Sequence, residues 1–258
     1  MYRYFISFFL LLTTISASTP YRYPAFILAA GNLKFVFPQM IEKFYKKFPD
    51  ASVHIQYGAS GYLMDSILKG KEYDIFFSAN INYAQKVYNA KNSATKPKNY
   101  AQGLLILFVP SHLSLSKRGL SILNTQKVKY ITVANKINAP YGVAAIEVIK
   151  NLKNHNKTLE KVRYSSDVAT AIDNVIWQGD AGFLSKSALY MIPQERKKEG
   201  VDWMEIDTKL YSPIIQSYVI SKKGLQNQNA KQFIQFIESK DGQKIFKDNG
   251  YKNIEQQF

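Results

Sequence analysis

The sequence contains no cysteine and only three histidines. Without cysteine the chain can form no disulfide, no cysteine-ligated metal site and no amino terminus that carries a lipid on cysteine. The histidines, His54, His112 and His155, are far apart in the sequence, and scattered imidazoles are poor material for a metal site. The composition therefore favours neither a disulfide scaffold nor a resident metal, and we expect no cofactor.

The chain is short of acidic residues, with 19 against 34 lysines and arginines, and its formal net charge is +15. Such a charge raises the hypothesis of nucleic-acid binding. The cationic residues are spread over predicted helix faces and loops, however, and the one dense run is Arg196-Lys197-Lys198. A run of this length is typical of a solvated helix face. We therefore expect no nucleic-acid partner.

The amino terminus has the features of an export signal. Arg3 supplies the positive region, residues 5–15 the apolar region, and Ser16-Ala17-Ser18 a small-residue cleavage site. An apolar segment of this length is too short to span a membrane comfortably. These features predict a signal peptide over residues 1–18, cleavage near Ala17 or Ser18, and an exported mature protein.

The length of 258 residues, with 46% hydrophobic residues, is enough for two domains. Strand and helix patterns alternate along the mature chain, which predicts α/β architecture. We expect a first lobe over residues 19–100, a second lobe over 101–215, and a return to the first lobe over 216–258. The crossing is expected in the polar stretch 91–100, before one long apolar strand over residues 103–110.

The chain is organised around residues 25–34, where an apolar run ends at Gly31 and Asn32 and enters a helical pattern over residues 36–48. The run predicts a buried parallel strand. Gly31 lets the backbone approach a ligand, Asn32 can cap the helix, and the first backbone N–H groups are free to bind an anion. Pro38 belongs in a first turn, so the regular helix either begins after Asn32 or is kinked at Pro38.

A second turn of the same kind follows the next predicted strand, in the segment Tyr57-Gly58-Ala59-Ser60-Gly61. Ser60 offers a hydroxyl donor and a cap for the helix that follows. If the two strands are adjacent and parallel, both helix amino termini point into one crevice. The pair of turns therefore predicts an anion site at the carboxyl ends of these strands.

Several short motifs strengthen this interpretation, and they occur in the order Ala29-Ala30-Gly31-Asn32-Leu33, Gly58-Ala59-Ser60-Gly61, Tyr73 to Asn80, Pro140-Tyr141-Gly142, Asp167-Val168 and Gly182-Phe183-Leu184-Ser185. In this combination they resemble the motifs of periplasmic molybdate-binding proteins. These are the soluble receptors of ABC-type importers and have the type II periplasmic binding protein fold. The resemblance implies two α/β lobes, each a mostly parallel sheet flanked by helices, with the ligand in the cleft.

The resemblance also implies a function and a set of site residues. The chain would be a monomeric receptor of the periplasm, not an enzyme, that binds molybdate and delivers it to the membrane permease and ATPase of an importer. Molybdenum would be held only as the oxyanion, by Gly31, Asn32, Ser60, Tyr141, Val168 and Ser185. Many relatives carry a tyrosine where this chain has Ser185, so either Tyr141 or Ser185 supplies the side-chain donor of the second lobe.

The residue types agree with a fully deprotonated tetrahedral anion, because Asn32, Ser60 and Tyr141 can donate hydrogen bonds and neither first-lobe turn contains a carboxylate. Asp167 is the nearest exception, and its expected role is a helix cap. Tungstate and then sulfate are the alternative ligands. A serine hydrolase is a weaker alternative, because the segment around Ser60 lacks the second glycine of a G-x-S-x-G elbow and no histidine sits in a partner motif.

Overall fold

The computed structural model describes residues 23–113, 115–178 and 181–254. The predicted signal peptide over residues 1–18 lies outside these residues and stays a prediction. In the described part of the chain, no helix is both long enough and apolar enough to cross a membrane.

The described residues contain eleven strands, which form two sheets. In chain order they are β1 Ala25–Ala30, β2 Val53–Gly58, β3 Ile75–Ser78, β4 Lys98–Gly103, β5 Leu105–Phe108, β6 Ile131–Ala134, β7 Val162–Ser165, β8 Ala181–Ser185, β9 Trp203–Glu205, β10 Ile214–Ile220 and β11 Tyr251–Lys252. The first sheet has the spatial order β11-β4-β10-β3-β1-β2, and the second has the order β7-β6-β8-β5-β9. We call the first sheet with its covering helices the first half of the molecule, and the second sheet with its covering helices the second half.

Both sheets are mixed. β1 pairs in parallel with β2 and β3, and β6 pairs in parallel with β7 and β8. The pairs made by β10 and β5 are antiparallel, because these strands belong to the connections between the sheets and run against the strands of the βα units. The α/β fold in two halves is as expected, but the antiparallel pairs are more numerous than the sequence patterns indicated.

Helices cover both sheets. They are α1 Phe37–Lys47, α2 Ser60–Leu68, α3 Ile81–Asn89, α4 Leu115–Arg118, α5 Pro140–Lys150, α6 His155–Glu160, α7 Val168–Gln178, α8 Gln228–Glu238 and α9 Lys240–Asp248. A separate 3-10 turn, Gly31–Phe35, precedes α1, and Pro38 lies in the first turn of α1. The regular helix therefore begins after Asn32, which was one of the two predicted alternatives.

The buried strand β1 lies between two hydrophobic layers, because successive side chains of a strand point to opposite faces. Ile27 and Ala29 pack in the layer that contains Phe37 and Phe233, whereas Leu28 packs in the layer formed with α2 and α3. The Phe37 ring meets the Phe233 ring edge-on, with the centroids 5.6 Å apart. This double coverage explains why β1 is apolar along its whole length.

The chain passes from the first sheet to the second at Leu104, between β4 and β5, and returns between β9 and β10. The expectation of one strand over residues 103–110 is wrong, because Gly103 still pairs with the first sheet and Leu105 already pairs with the second. The polar segment Lys98–Gly103 is a strand of the first sheet, since its backbone pairs with β10. The lobe boundaries at residues 100 and 215 stay predictions.

Candidate functional site

A small pocket lies between the two halves, where the carboxyl ends of strands meet the amino termini of helices. The first half contributes Ala30, Gly31, Asn32, Ala59, Ser60 and Ala79, and the second contributes Ala139, Pro140, Tyr141, Asp167 and Val168. Five of the six predicted site residues are in this lining, and Ser185 is not. The pocket has a volume of about 10 Å³, which is room for about one water molecule.

Ser60 is the first residue of α2, and its side chain is almost fully buried, with 1% exposure. Its Oγ accepts a hydrogen bond from the backbone N–H of Ala79 at 3.0 Å. A backbone N–H can only donate, so the single hydroxyl proton of Ser60 is left for another acceptor. The expected capping role of Ser60 is wrong, because Ala59 occupies the cap position and no side-chain capping bond forms.

Tyr141 lies in the first turn of α5 and is 2% exposed. Its Oη accepts a hydrogen bond from Gln216 Nε2 at 3.0 Å. Burial raises the pKa of Tyr141 well above its ordinary value, so the phenol keeps its proton. The Tyr141 hydroxyl lies close to the backbone of Gly103, since a Cβ at this position would be 2.2 Å from Tyr141 Oη. Glycine is therefore required at position 103 for the Tyr141 hydroxyl to reach this place.

Asn32 is also buried, but its amide nitrogen is bound within the protein. Nδ2 donates to Gln216 Oε1 at 3.1 Å and to Tyr251 Oη at 2.8 Å, whereas Oδ1 is buried and has no hydrogen-bond partner among the described residues. Ala30 occupies the cap position of the 3-10 turn and no side-chain cap forms, so the expected capping role of Asn32 is wrong. The donors that Gly31 and Asn32 can offer are their backbone N–H groups at the start of the turn, where helical partners are lacking.

Three helices begin at the pocket: α2 at Ser60, α5 at Pro140 and α7 at Val168. The amino terminus of each helix carries a partial positive charge, and negative charge there is stabilised by roughly 0.3–2 kcal/mol for each helix. The pocket therefore favours an anion although no lysine or arginine is among its lining residues.

The two halves touch beside the pocket. The backbone N–H of Gly61 donates to Asn138 O at 3.0 Å, and Tyr83 Oη donates to Ile137 O at 3.1 Å. A Cβ at Gly61 would lie 3.0 Å from Asn138 Cα, so a side chain at this position would push the halves apart. These contacts join α2 and α3 of the first half to the loop before α5 of the second.

Asp167 brings a carboxylate to the lining. Its Oδ1 accepts from the backbone N–H of Thr170 at 2.9 Å and from Thr170 Oγ1 at 3.3 Å. This arrangement confirms the expected role as the cap of α7. The carboxylate nevertheless lines the pocket and adds a negative charge that opposes an anion.

Ser185 ends β8 and is fully buried outside the pocket lining. Its Oγ lies 3.0 Å from Ser187 Oγ, and Ser187 Oγ in turn lies 3.4 Å from the carbonyl oxygen of Asn32. The Ser185 hydroxyl is therefore joined to a hydrogen-bonded pair of serines beside the 3-10 turn. Whether it takes part in ligand binding stays a prediction.

Three residues that were not predicted, Gln216, Tyr100 and Tyr251, surround the side chains of Asn32 and Tyr141. Gln216 is 0% exposed and accepts from Tyr100 Oη at 3.0 Å. A lone amide inside the apolar run 211–220 was the available signal, because a buried amide needs hydrogen-bond partners. Tyr251 lies on a strand of two residues, which leaves no pattern to detect.

In the part of the chain that the structure describes, no group of three or more histidine or acidic side chains could hold a metal ion. The chemistry of the pocket is thus limited to hydrogen-bond donors, helix termini and the Asp167 carboxylate.

Comparison with known proteins covers both halves. The model of a family described as bacterial extracellular solute-binding protein matches residues 26–252. The molybdate-binding protein ModA of Azotobacter vinelandii is 25% identical over 209 residues, covering 80% of this chain and 81% of that protein. ModA of Rhodobacter capsulatus is 26% identical over 202 residues, covering 78% of this chain and 77% of that protein. The solved structure of the Azotobacter vinelandii periplasmic molybdate-binding protein superposes with a TM-score of 0.76 at 26% identity, covering 90% of this chain and 100% of that chain.

Proposed function

The chain belongs to the bacterial extracellular solute-binding protein family, and we propose that within this family it binds molybdate and delivers it to an ABC importer. The relatives named above support molybdate as the ligand. The proposal for this chain also depends on whether its own pocket suits a small dianion with four oxygens.

One observation carries the proposal: Ser60 and Tyr141, from opposite halves, line the same pocket, and the buried hydroxyl of each accepts a hydrogen bond from a group that can only donate. Ser60 Oγ accepts from the Ala79 N–H, and Tyr141 Oη accepts from Gln216 Nε2. The protons of both hydroxyls are therefore available to an acceptor in the pocket. A fully deprotonated oxyanion consists only of acceptors, so it suits these two donors.

The helix termini supply the neutralisation of charge. The starts of α2, α5 and α7 surround the pocket, and their dipoles favour a dianion without a lysine or arginine in contact with it. Ligand residues in this proposal are Ser60 and Tyr141 through their hydroxyls, and Gly31, Asn32 and Val168 through their backbones. Ser185 is assigned at most an indirect role through Ser187.

Tungstate is the first alternative ligand and sulfate the second, because all three anions are tetrahedral acceptors. Phosphate keeps a proton near neutral pH, and Asp167 is the one carboxylate in the lining that could accept it. A hydrolase is disfavoured by the same lining, which holds Ser60 but no histidine to activate it.

The proposed setting follows from the family. We infer that the signal peptide over residues 1–18 directs the chain to the periplasm, where the mature protein acts as a monomer. The permease and ATPase of the importer are the proposed partners. The segments that join the two sheets, at Leu104 and between β9 and β10, are the proposed hinges.

Calorimetry on the mature chain with molybdate, tungstate, sulfate and phosphate tests the proposal. We expect molybdate and tungstate to bind most tightly and to raise the melting temperature, because a ligand that binds only the folded state stabilises it. The control variant is Gln102→Glu, which adds one negative charge on β4 outside the pocket lining and should bind the anions as the wild type does. An unchanged melting temperature with all four anions at saturation would refute the oxyanion assignment.

A further inference from the structure

A buried amide joins the two sides of the pocket. Gln216 lies on β10, the strand on which the chain returns to the first sheet, and its side chain is fully buried. Its Oε1 accepts from Asn32 Nδ2 at 3.1 Å and from Tyr100 Oη at 3.0 Å, and its Nε2 donates to Tyr141 Oη at 3.0 Å. Gln216 itself is not among the residues that line the pocket.

The direction of these hydrogen bonds decides what Tyr141 can do. An amide nitrogen has protons and no free acceptor, so Tyr141 Oη must accept from Gln216 Nε2. The one proton of Tyr141 then has to be donated elsewhere. Among the described residues, no hydrogen bond is found in which Tyr141 Oη is the donor, and the side chain lines the pocket.

The orientation of the Gln216 amide is coupled to that of Asn32. Asn32 Nδ2 donates to Gln216 Oε1, and reversing the Gln216 amide alone would place two donors against each other. Asn32 Nδ2 is held in turn by Tyr251 Oη at 2.8 Å. Asn32 thus donates to both Tyr251 and Gln216, and Gln216 donates to Tyr141.

We propose that Gln216 is a positioning residue for anion binding, which forces the Tyr141 hydroxyl to donate its proton to the anion in the pocket. This inference rests on the proposed function. Gln216 acts through Tyr141 and touches no ligand. The alternative is a purely structural role, in which Gln216 only satisfies buried tyrosines.

The substitution Gln216→Glu separates these roles, because the introduced side chain has nearly the same shape and can change its charge. When ionised, it only accepts, so it takes the Tyr141 proton away from the anion and adds negative charge near the pocket. When protonated, its carbonyl can accept from Asn32 and Tyr100 while its hydroxyl donates to Tyr141, as the amide does. Molybdate affinity of this variant should therefore depend on pH in a way that the wild type does not.

The groups that face position 216 allow this dependence to be assigned. They are Asn32, which does not titrate, and the tyrosines Tyr100, Tyr141 and, beyond Asn32, Tyr251. Burial raises the pKa of Tyr251 to about 12 and those of Tyr100 and Tyr141 well above their ordinary value, so all three stay neutral below about pH 9. Burial also raises the pKa of a carboxyl group, which brings that of the introduced residue into an accessible range.

The experiment measures molybdate affinity by calorimetry from about pH 8 to about pH 5.5, with a melting curve for each variant. For Gln216→Glu we expect a loss of roughly tenfold to 150-fold at the upper pH, the ratio for one hydrogen bond to a charged group. Most of this loss should be recovered at the lower pH. Wild type and the matched charge control Gln102→Glu, on the neighbouring strand β4, should keep a nearly constant affinity.

A second variant tests the proposal in case Gln216→Glu does not fold. Gln216→Met removes both hydrogen-bonding groups and leaves the Tyr141 proton undirected, so we expect weaker binding without the pH dependence. Wild-type affinity in this variant would overturn the proposal.

The remaining outcomes are also decisive. If Gln216→Glu binds molybdate as tightly as the wild type at every pH, Tyr141 donates to residue 216 and the proposed direction is wrong. If the wild type itself binds none of molybdate, tungstate, sulfate and phosphate, the proposed function fails and this inference fails with it. A pH-independent loss in Gln216→Glu, with an unchanged melting curve, would also overturn the proposal.

Discussion

Replacing Tyr141 by phenylalanine tests which side chain of the second half donates to the anion. The substitution removes one oxygen and keeps the ring, so the wall of the pocket stays in place. Tyr141 Oη accepts from Gln216 Nε2 at 3.0 Å, and no acceptor for its proton is found among the described residues, so we propose that it donates to the ligand. The variant should therefore lose both ligand affinity and folding stability, by separate amounts.

The two magnitudes follow from the hydrogen bonds that are lost. A hydrogen bond to a charged group contributes about 1.5–3 kcal/mol, so molybdate binding to Tyr141→Phe should weaken by that amount. Gln216 Nε2 is fully buried and would lose its one acceptor among the described residues, and an unsatisfied buried donor costs about 1–3 kcal/mol of folding stability. Calorimetry measures the first quantity, and urea unfolding of the ligand-free protein measures the second.

Ser185→Ala is the matched control, because it also removes one buried hydroxyl from the second half. Ser185 Oγ contacts Ser187 Oγ and lies outside the pocket lining, so its loss should change molybdate affinity little. Molybdate and tungstate should respond alike, since the change concerns a donor and not the size of the pocket. If Ser185→Ala abolishes binding while Tyr141→Phe binds normally, the assignment of Tyr141 is wrong.

Three further outcomes are expected. Ser60→Ala should weaken molybdate binding by about 1.5–3 kcal/mol in calorimetry while the protein stays folded, and wild-type affinity would remove Ser60 from the site. Asp167→Asn keeps a good helix cap for the Thr170 N–H and removes a like charge, so molybdate should bind about 1 kcal/mol more tightly; weaker binding would mean that the carboxylate contributes to the site. Burial raises the pKa of Tyr251 from 10.0 to about 12. As the pH rises, the unfolded chain therefore loses this proton before the folded chain does. The contribution of Tyr251 to the free energy of unfolding is fully present below about pH 10 and should fall by about 1.4 kcal/mol per pH unit as the pH rises from there to about 12. For Tyr251→Phe, the free energy of unfolding measured at a series of alkaline pH values should fall less steeply than that of the wild type. An equal slope in the two proteins would contradict this assignment to Tyr251.

The strands and helices that build the pocket could be predicted because their signals are local. The apolar run of β1 ends at Gly31, and a turn of small residues leads from β2 into α2 at Ser60. Parallel pairing of β1 with β2 then places both turns at one edge of the sheet, with Ala30 opposite Gly58. Residue type, periodicity and the rules for parallel strands were sufficient for this part.

The hydrogen-bond partners inside the pocket could not be predicted, because they come from distant parts of the chain. Gln216 is 184 residues from Asn32, and Tyr251 is 219 residues from it. Asn32 fits a helix cap by residue type, but two acceptors from β10 and β11 take its amide nitrogen. The division of the run 103–110 into two strands at Leu104 also could not be predicted from the sequence, because the residues on both sides of Leu104 are buried and apolar.

The size of the pocket and the contacts beside it together determine how an anion can enter. A volume of about 10 Å³ admits about one water molecule, whereas a tetrahedral oxyanion has four oxygens around a central atom. For the proposed ligand to enter, we therefore expect the halves to separate at the Gly61–Asn138 and Tyr83–Ile137 hydrogen bonds. Ser60 and Tyr141 belong to opposite halves, so in the proposed site both hydroxyls can contact one anion only when the halves are together. Gln216, on the strand where the chain re-enters the first sheet, hydrogen-bonds Asn32 of the first half and Tyr141 of the second, so we expect it to favour this arrangement of the two halves.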